Sequence, residues 1–144
     1  MQPVSFFAYG TLKLRQVRAH CWPFEPTSVQ IAYTRGQLFD LGPYPALAEG
    51  EHWVQGELWT FLPSQIAKTL QVIDDVEGYE QSPDDLYDRR VIDAVLENGE
   101  VVTAFCYFFL RWKQTPRAKY IEPVHGMPKD VADGKERCAR WGEV

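Results

Sequence analysis

The stretch YDRRVIDAVLENGEVVTAFCYFFL, residues 87–110, constrains the fold more than any other part of the chain. Two runs rich in β-branched and aromatic residues flank Asn98-Gly99, a pair that tolerates the positive φ required by a tight hairpin turn. An antiparallel strand pair is therefore expected over 87–96 and 101–110.

Other segments supply neighbours for that hairpin. VSFFAYG predicts a strand over 4–9, ended by a glycine. SVQIAYTRGQLFDL predicts a long strand over 29–39, interrupted at Gly36, where a bend or bulge is tolerated. VQGELWTFL returns to strand character over 54–61, and GPYPALAEGEHW, with two prolines and two glycines, reads as loop. Three helices are expected. A short one over TLKLRQVRAHCW would have Thr11 as N-cap and Leu14, Val17 and Cys21 as its inner stripe. A longer one covers Pro63–Asp75, with Pro63 in the first turn and Gly78 available as the left-handed residue that ends it. A third falls on VADGKERCARW. No internal repeat or linker divides the chain, so residues 1–144 are expected to form a single α+β domain whose antiparallel sheet is able to close into a barrel.

One residue breaks the helical pattern in an informative way. Ile66, Leu70 and Ile73 share a helix face, and Glu77 continues that series four residues after Ile73. VIDDVEGYE holds four carboxylates, yet the spacing turns only Glu77 toward the interior and leaves Asp74 and Asp75 pointing elsewhere. A surface acid at a helix end is the ordinary alternative. An inward carboxylate must find partners or shift its pKa upward, and a raised pKa suits it to proton transfer near neutrality.

Composition narrows the function classes. Twenty acidic against fifteen basic residues give a net charge of -5, so no global field draws nucleic acid. The longest apolar run, VVTAFCYFFL, is ten residues and too short for a membrane-spanning helix. Three cysteines without a CxxC argue against a disulfide scaffold, and MQPVSFFAYG lacks the basic and small-residue features of a secretory signal. A cytoplasmic location is the resulting expectation. No serine lies in a GxSxG context, and His20, His52 and His125 have no metal-ligand spacing. Gly10 alone is not a dinucleotide fingerprint. No metal and no cofactor are expected.

A second feature is FFAYGTL, where a hydrophobic strand ends at Tyr9-Gly10-Thr11. Such a corner is either plain structure or a set of backbone amides able to cradle a carboxylate.

FFAYGTL, GQLFDLGPYPAL, VQGELW, VIDDVEGYE and YDRRVIDAVLENG occur in an order that resembles the gamma-glutamylcyclotransferase-like family, over residues 4 to 110. The resemblance implies a mixed β-barrel with flanking helices. It also implies that Tyr9, Gly10, Thr11 and Leu12 bind the alpha-amino acid end of a gamma-glutamyl substrate, that Tyr120 is a pocket aromatic, and that Glu77 is the essential acid. The implied reaction is cyclisation of a small-molecule gamma-glutamyl amine or related compound to 5-oxoproline, with Glu77 as general acid and base. Three alternatives stand beside it. One is a binding module of the same fold without turnover, another a cyclotransferase for a carrier-linked glutamyl group, and the third a structural or interaction role. Phe39, Tyr44, Trp59 and Tyr79 are aromatics that either line a cavity or fill the core. Of Arg89 and Arg90, adjacent in a strand, at most one is expected to face inward.

Overall fold

The computed structural model describes residues 2–110, 117–132 and 135–142. In chain order the strands are β1 (Ser5–Ala8), β2 (Ser28–Asp40), β3 (Pro45–Thr60), β4 (Tyr87–Leu96), β5 (Val101–Phe109), β6 (Lys119–Tyr120), β7 (His125–Gly126) and β8 (Arg137–Ala139). The helix α1 (Ile66–Glu77) follows β3, and single 3-10 turns occupy Ala19–Cys21 and Pro63–Gln65.

The strand order is β6-β2-β4-β5-β1-β3-β8-β7, and an additional pairing of β2 with β3 closes β2, β4, β5, β1 and β3 into a five-stranded ring. β1 runs parallel to β5 and β8 parallel to β3, while β1–β3, β2–β3, β2–β4 and β4–β5 are antiparallel. The result is a mixed β-barrel with a flanking helix. Its hairpin β4–β5 pairs Tyr87 with Phe109 through to Val95 with Val101, and Gly99 closes the turn at φ 90°. The bulge expected at Gly36 is present: Gly36 faces His52 but Gln37 faces Ala48, so residues 49–51 of β3 are left over.

Alternation along β1 divides the core in two. Phe7 joins Leu38, Leu47, Val54, Leu58 and Phe108 inside the barrel. Phe6 and Ala8 face the other way, into a layer with Trp22, Trp59, Phe61, Phe105 and the buried face of α1. That face is Ile66, Thr69, Leu70 and Ile73. Each large apolar side chain buried there contributes roughly 1.5–3 kcal/mol, so the helix is held by its stripe. Gly78, in the left-handed conformation (φ 68°, ψ 30°), ends it, and the Tyr79 amide donates back to the Asp74 carbonyl at 2.8 Å.

Three expectations fail. Residues 45–52 are not loop, because β3 begins at Pro45 and buries Ala46, Leu47 and Ala48 completely. Proline is tolerated at a strand's first residue, and burial on both faces removes the alternation that marks a strand. Residues 11–22 form turns, with Leu14 50% and Val17 73% exposed. There the Leu14 amide donates to the Glu57 carboxylate at 2.7 Å, buried Lys13 donates to the Trp141 carbonyl, and Arg15 adopts φ 66°, which no right-handed helix contains. In the segment 131–141 the described part holds β8, whose Cys138 pairs with Trp53 and is fully buried, instead of a helix.

Candidate active site

The end of β1 builds one wall of the site. After Ala8 the chain turns out at the barrel rim, and a Cβ on Gly10 would stand 2.7 Å from the ring carbons of Pro45. Only glycine allows that approach. Tyr9 is buried and its hydroxyl donates to the Tyr107 carbonyl at 2.6 Å. Beyond it the carbonyls are all engaged. Gly10 O accepts from the Lys13 amide, Thr11 O from the Arg18 amide, and Leu12 O from the Trp22 indole, at 3.0, 2.8 and 3.0 Å. The amides of Gly10, Thr11 and Leu12 donate to no acceptor among the described residues. A run of free N–H groups is a ready site for a carboxylate or a developing oxyanion.

The last turn of α1 builds another wall. Tyr9–Leu12, Arg18, Tyr44, Pro45, Asp75–Gly78, Tyr87 and Tyr107 line a common cavity of about 280 Å³. Glu77 lies in it with no hydrogen-bond or ion-pair partner among the described residues. Burial pushes its carboxyl up to about 7, with the Arg18 guanidinium pulling weakly the other way. At neutrality this acid is divided between its two protonation states, which is what proton transfer in both directions requires. Burial, with the Glu77 charge adding to it, also keeps the phenols of Tyr87 and Tyr9 protonated, so both remain donors.

Asp74 behaves differently from expectation. It does not stay out in solvent: its two carboxylate oxygens take the Arg89 guanidinium and the Tyr107 hydroxyl, each at 2.5 Å. Its side chain keeps only 20% of its surface exposed, whereas Asp75 is exposed. Arg89 also lies over the Tyr79 ring, 5.1 Å from its centroid. Arg90 pairs with Glu49 and Asp88, and neither arginine lines the cavity.

The structure therefore brings Glu77, Tyr9, Gly10, Thr11 and Leu12 together and leaves Tyr120 out. Tyr120 sits on the short edge strand β6, paired with Phe39, with ring centroids 5.7 Å from Phe39 and 6.1 Å from His52. Of the aromatics in doubt, Tyr44 lines the cavity while Phe39 and Trp59 are core. Sequence reasoning missed Arg18, Tyr87 and Tyr107. Arg18 was hidden by the expected helix; Tyr87 and Tyr107 lie in the hairpin, where barrel curvature decides which positions meet the cavity. Among the described residues no cluster of His, Cys, Asp and Glu is arranged to hold a metal ion. No helix in them is long and apolar enough to cross a membrane.

Residues 6–125 match the family model of gamma-glutamyl cyclotransferase, AIG2-like. The chain belongs to this family. Solved structures share its fold. An AIG2-like protein from Mus musculus is 21% identical with a TM-score of 0.62, the match covering 85% of this chain and 90% of the mouse chain. A protein described as a gamma-glutamyl cyclotransferase is 15% identical with a TM-score of 0.52, over 90% of this chain and 76% of its own. YkqA from Bacillus subtilis is 22% identical with a TM-score of 0.54 over 75% of this chain, which spans only 36% of YkqA. No curated protein matches the chain by sequence. The order of motifs that suggested the family in the sequence is thus matched by the family model and by the barrel.

Proposed function

We propose that the protein is a gamma-glutamyl cyclotransferase that converts a small gamma-glutamyl compound into 5-oxoproline and a free amine, with Glu77 as proton shuttle. The observation that carries this reading is the lone Glu77 carboxyl, pushed up to about 7, in one cavity with the free amides of Gly10–Leu12. Glu77 takes a proton from the alpha-ammonium of the substrate. The freed nitrogen then attacks the gamma-carbonyl carbon, forming the ring C–N bond. As the tetrahedral intermediate collapses, the bond to the leaving nitrogen breaks and Glu77 returns its proton to that nitrogen. The ring nitrogen then gives up its second proton, which passes by way of the same carboxylate to the departing amine, leaving neutral lactam and an ammonium product. Every atom of the substrate ends in one of the two products, and no water is consumed. The nucleophile is part of the substrate, so proximity is supplied by the substrate itself and the protein needs no serine or cysteine. The Tyr9–Leu12 loop holds the alpha-amino acid end, its amides donating to the carboxylate or the oxyanion.

The test is mass-spectrometric detection of 5-oxoproline from a panel of gamma-glutamyl compounds, with wild type and Glu77→Gln in parallel. Release by wild type and not by the variant is expected. N-acetylation of the alpha-amine should abolish it. Equal release by both proteins would remove Glu77 as the shuttle, and no release across the panel would reject the reaction.

A further inference from the structure

Arg18 lines the cavity beside Glu77 and has a use that the cyclisation step does not give it. The other arginines with described contacts are occupied. Arg89 and Arg90 hold carboxylates, and Arg35 donates to the Glu51 carbonyl and covers the Trp53 ring. Arg18 is exposed, makes no ion pair within 4 Å, and donates no side-chain hydrogen bond among the described residues. Its backbone is anchored, since its amide donates to the Thr11 carbonyl at 2.8 Å and ties it to the substrate loop. A free guanidinium on an anchored backbone at the mouth of a cavity is a fork for a carboxylate.

Resting on the cyclotransferase reading, we infer that Arg18 determines specificity by binding a carboxylate on the leaving amine, so that gamma-glutamyl amino acids are preferred to gamma-glutamyl alkylamines and amides. Two anion sites lie at different depths. The amides of Gly10–Leu12 belong to largely buried residues, and Arg18 is at the exposed rim. A glutamyl group curled for ring closure brings its alpha-amine against its own gamma-carbonyl, so it is compact and occupies the inner part. The group that extends outward is the one attached to the leaving nitrogen. A carboxylate one carbon from that nitrogen meets Arg18. Asp75, exposed on the same rim, opposes a second negative charge, which favours leaving amino acids with uncharged side chains.

The experiment compares gamma-glutamyl-alanine with gamma-glutamyl-alaninamide, which differ in that one charge. Wild type should favour the acid in kcat/KM by roughly tenfold or more, the scale of one charge-assisted contact. Arg18→Gln should bring the acid-to-amide ratio close to one, and Arg18→Lys should restore part of it. A ratio near one in wild type overturns the inference. So does an equal loss on both substrates in Arg18→Gln, which would place the guanidinium on the alpha-carboxylate instead. Thermal melting of each variant excludes unfolding as the cause. Calorimetric binding of the same two compounds to Glu77→Gln, with and without Arg18→Gln, separates this inference from the reaction. An Arg18-dependent preference for the acid without wild-type turnover rejects the reaction and keeps the contact. Turnover without the preference does the reverse.

Discussion

Asp74 and Glu77 stand three residues apart in the last turn of one helix, and both are withdrawn from bulk solvent. Asp74 has a cation and a phenol on its two oxygens, whereas Glu77 has neither. The contrast separates two uses of a half-buried acid. Partners on both oxygens make a carboxylate a fixed anchor, here locking α1 to β4 through Arg89 and to β5 through Tyr107. Burial without partners keeps a carboxylate ready to change its charge.

The comparison breaks most visibly in activity. Glu77→Gln preserves shape and removes the proton carrier, so kcat should fall by about 10²–10⁴-fold, the usual worth of a general acid–base group. Asp74→Asn should cost less than tenfold, because Tyr107 and Arg89 keep a polar partner. If Asp74→Asn were the more damaging of the two, the assignment of roles would be reversed.

Stability should then move in opposite directions. The folded-state pKa of Glu77, about 7, lies above the usual carboxylate value of 4.5. The folded protein therefore binds more protons than the unfolded chain between those values, and stability falls as pH rises through that window. The penalty is absent below about pH 4.5 and complete above about pH 7, and is at most about 3 kcal/mol. Glu77→Gln should accordingly melt higher than wild type at pH 8 and show no such gain at pH 4.5. A gain over wild type that is equal at both pH values would mean that burial does not perturb this acid. Asp74→Asn should lower stability by about 1–2 kcal/mol at pH 7, since it leaves the partly buried Arg89 without its counter-charge. Chemical denaturation of both variants beside wild type checks the two signs together.

These contrasts also mark what the sequence discloses. The 3.6-residue period reaches Glu77 through Ile66, Leu70 and Ile73, so its inward face was legible, as were the Asn98-Gly99 hairpin, the Gly36 bulge and the Gly78 cap. Asp74 was not, because its partners come from β4 and β5 and no local pattern announces a contact with residue 89 or 107. The same holds for β3. Pro45–Ala48 looks like loop until the barrel closes over both of its faces. The turns at 11–22 were misread because amphipathic spacing was present while the groups that decide the backbone, Glu57 and Trp141, lie far along the chain. Tyr120 followed from the resemblance alone, and the register of β6 on β2 places it on Phe39, outside the cavity.

The smallest effect concerns how strongly Arg18 biases the titration of Glu77. Its positive charge pulls the Glu77 carboxyl down against burial, so Arg18→Gln should raise that pKa. The acidic limb of kcat/KM, on which the carboxylate must be free to accept a proton, would move to higher pH. Because Arg18 is exposed, water and salt screen the interaction, and a shift of a few tenths of a pH unit is the expected scale. Screening provides the internal check: raising the ionic strength to about 1 M should move the wild-type limb toward that of the variant and leave the variant's limb in place. Direct titration of the Glu77 carboxyl carbon by NMR in both proteins reads the same quantity without relying on turnover. A shift to lower pH in Arg18→Gln would mean that the guanidinium does not face Glu77. An unchanged titration would leave burial unopposed in setting the Glu77 pKa, and would remove Arg18 from the electrostatics of the acid that Asp74, with its own arginine, so clearly contrasts.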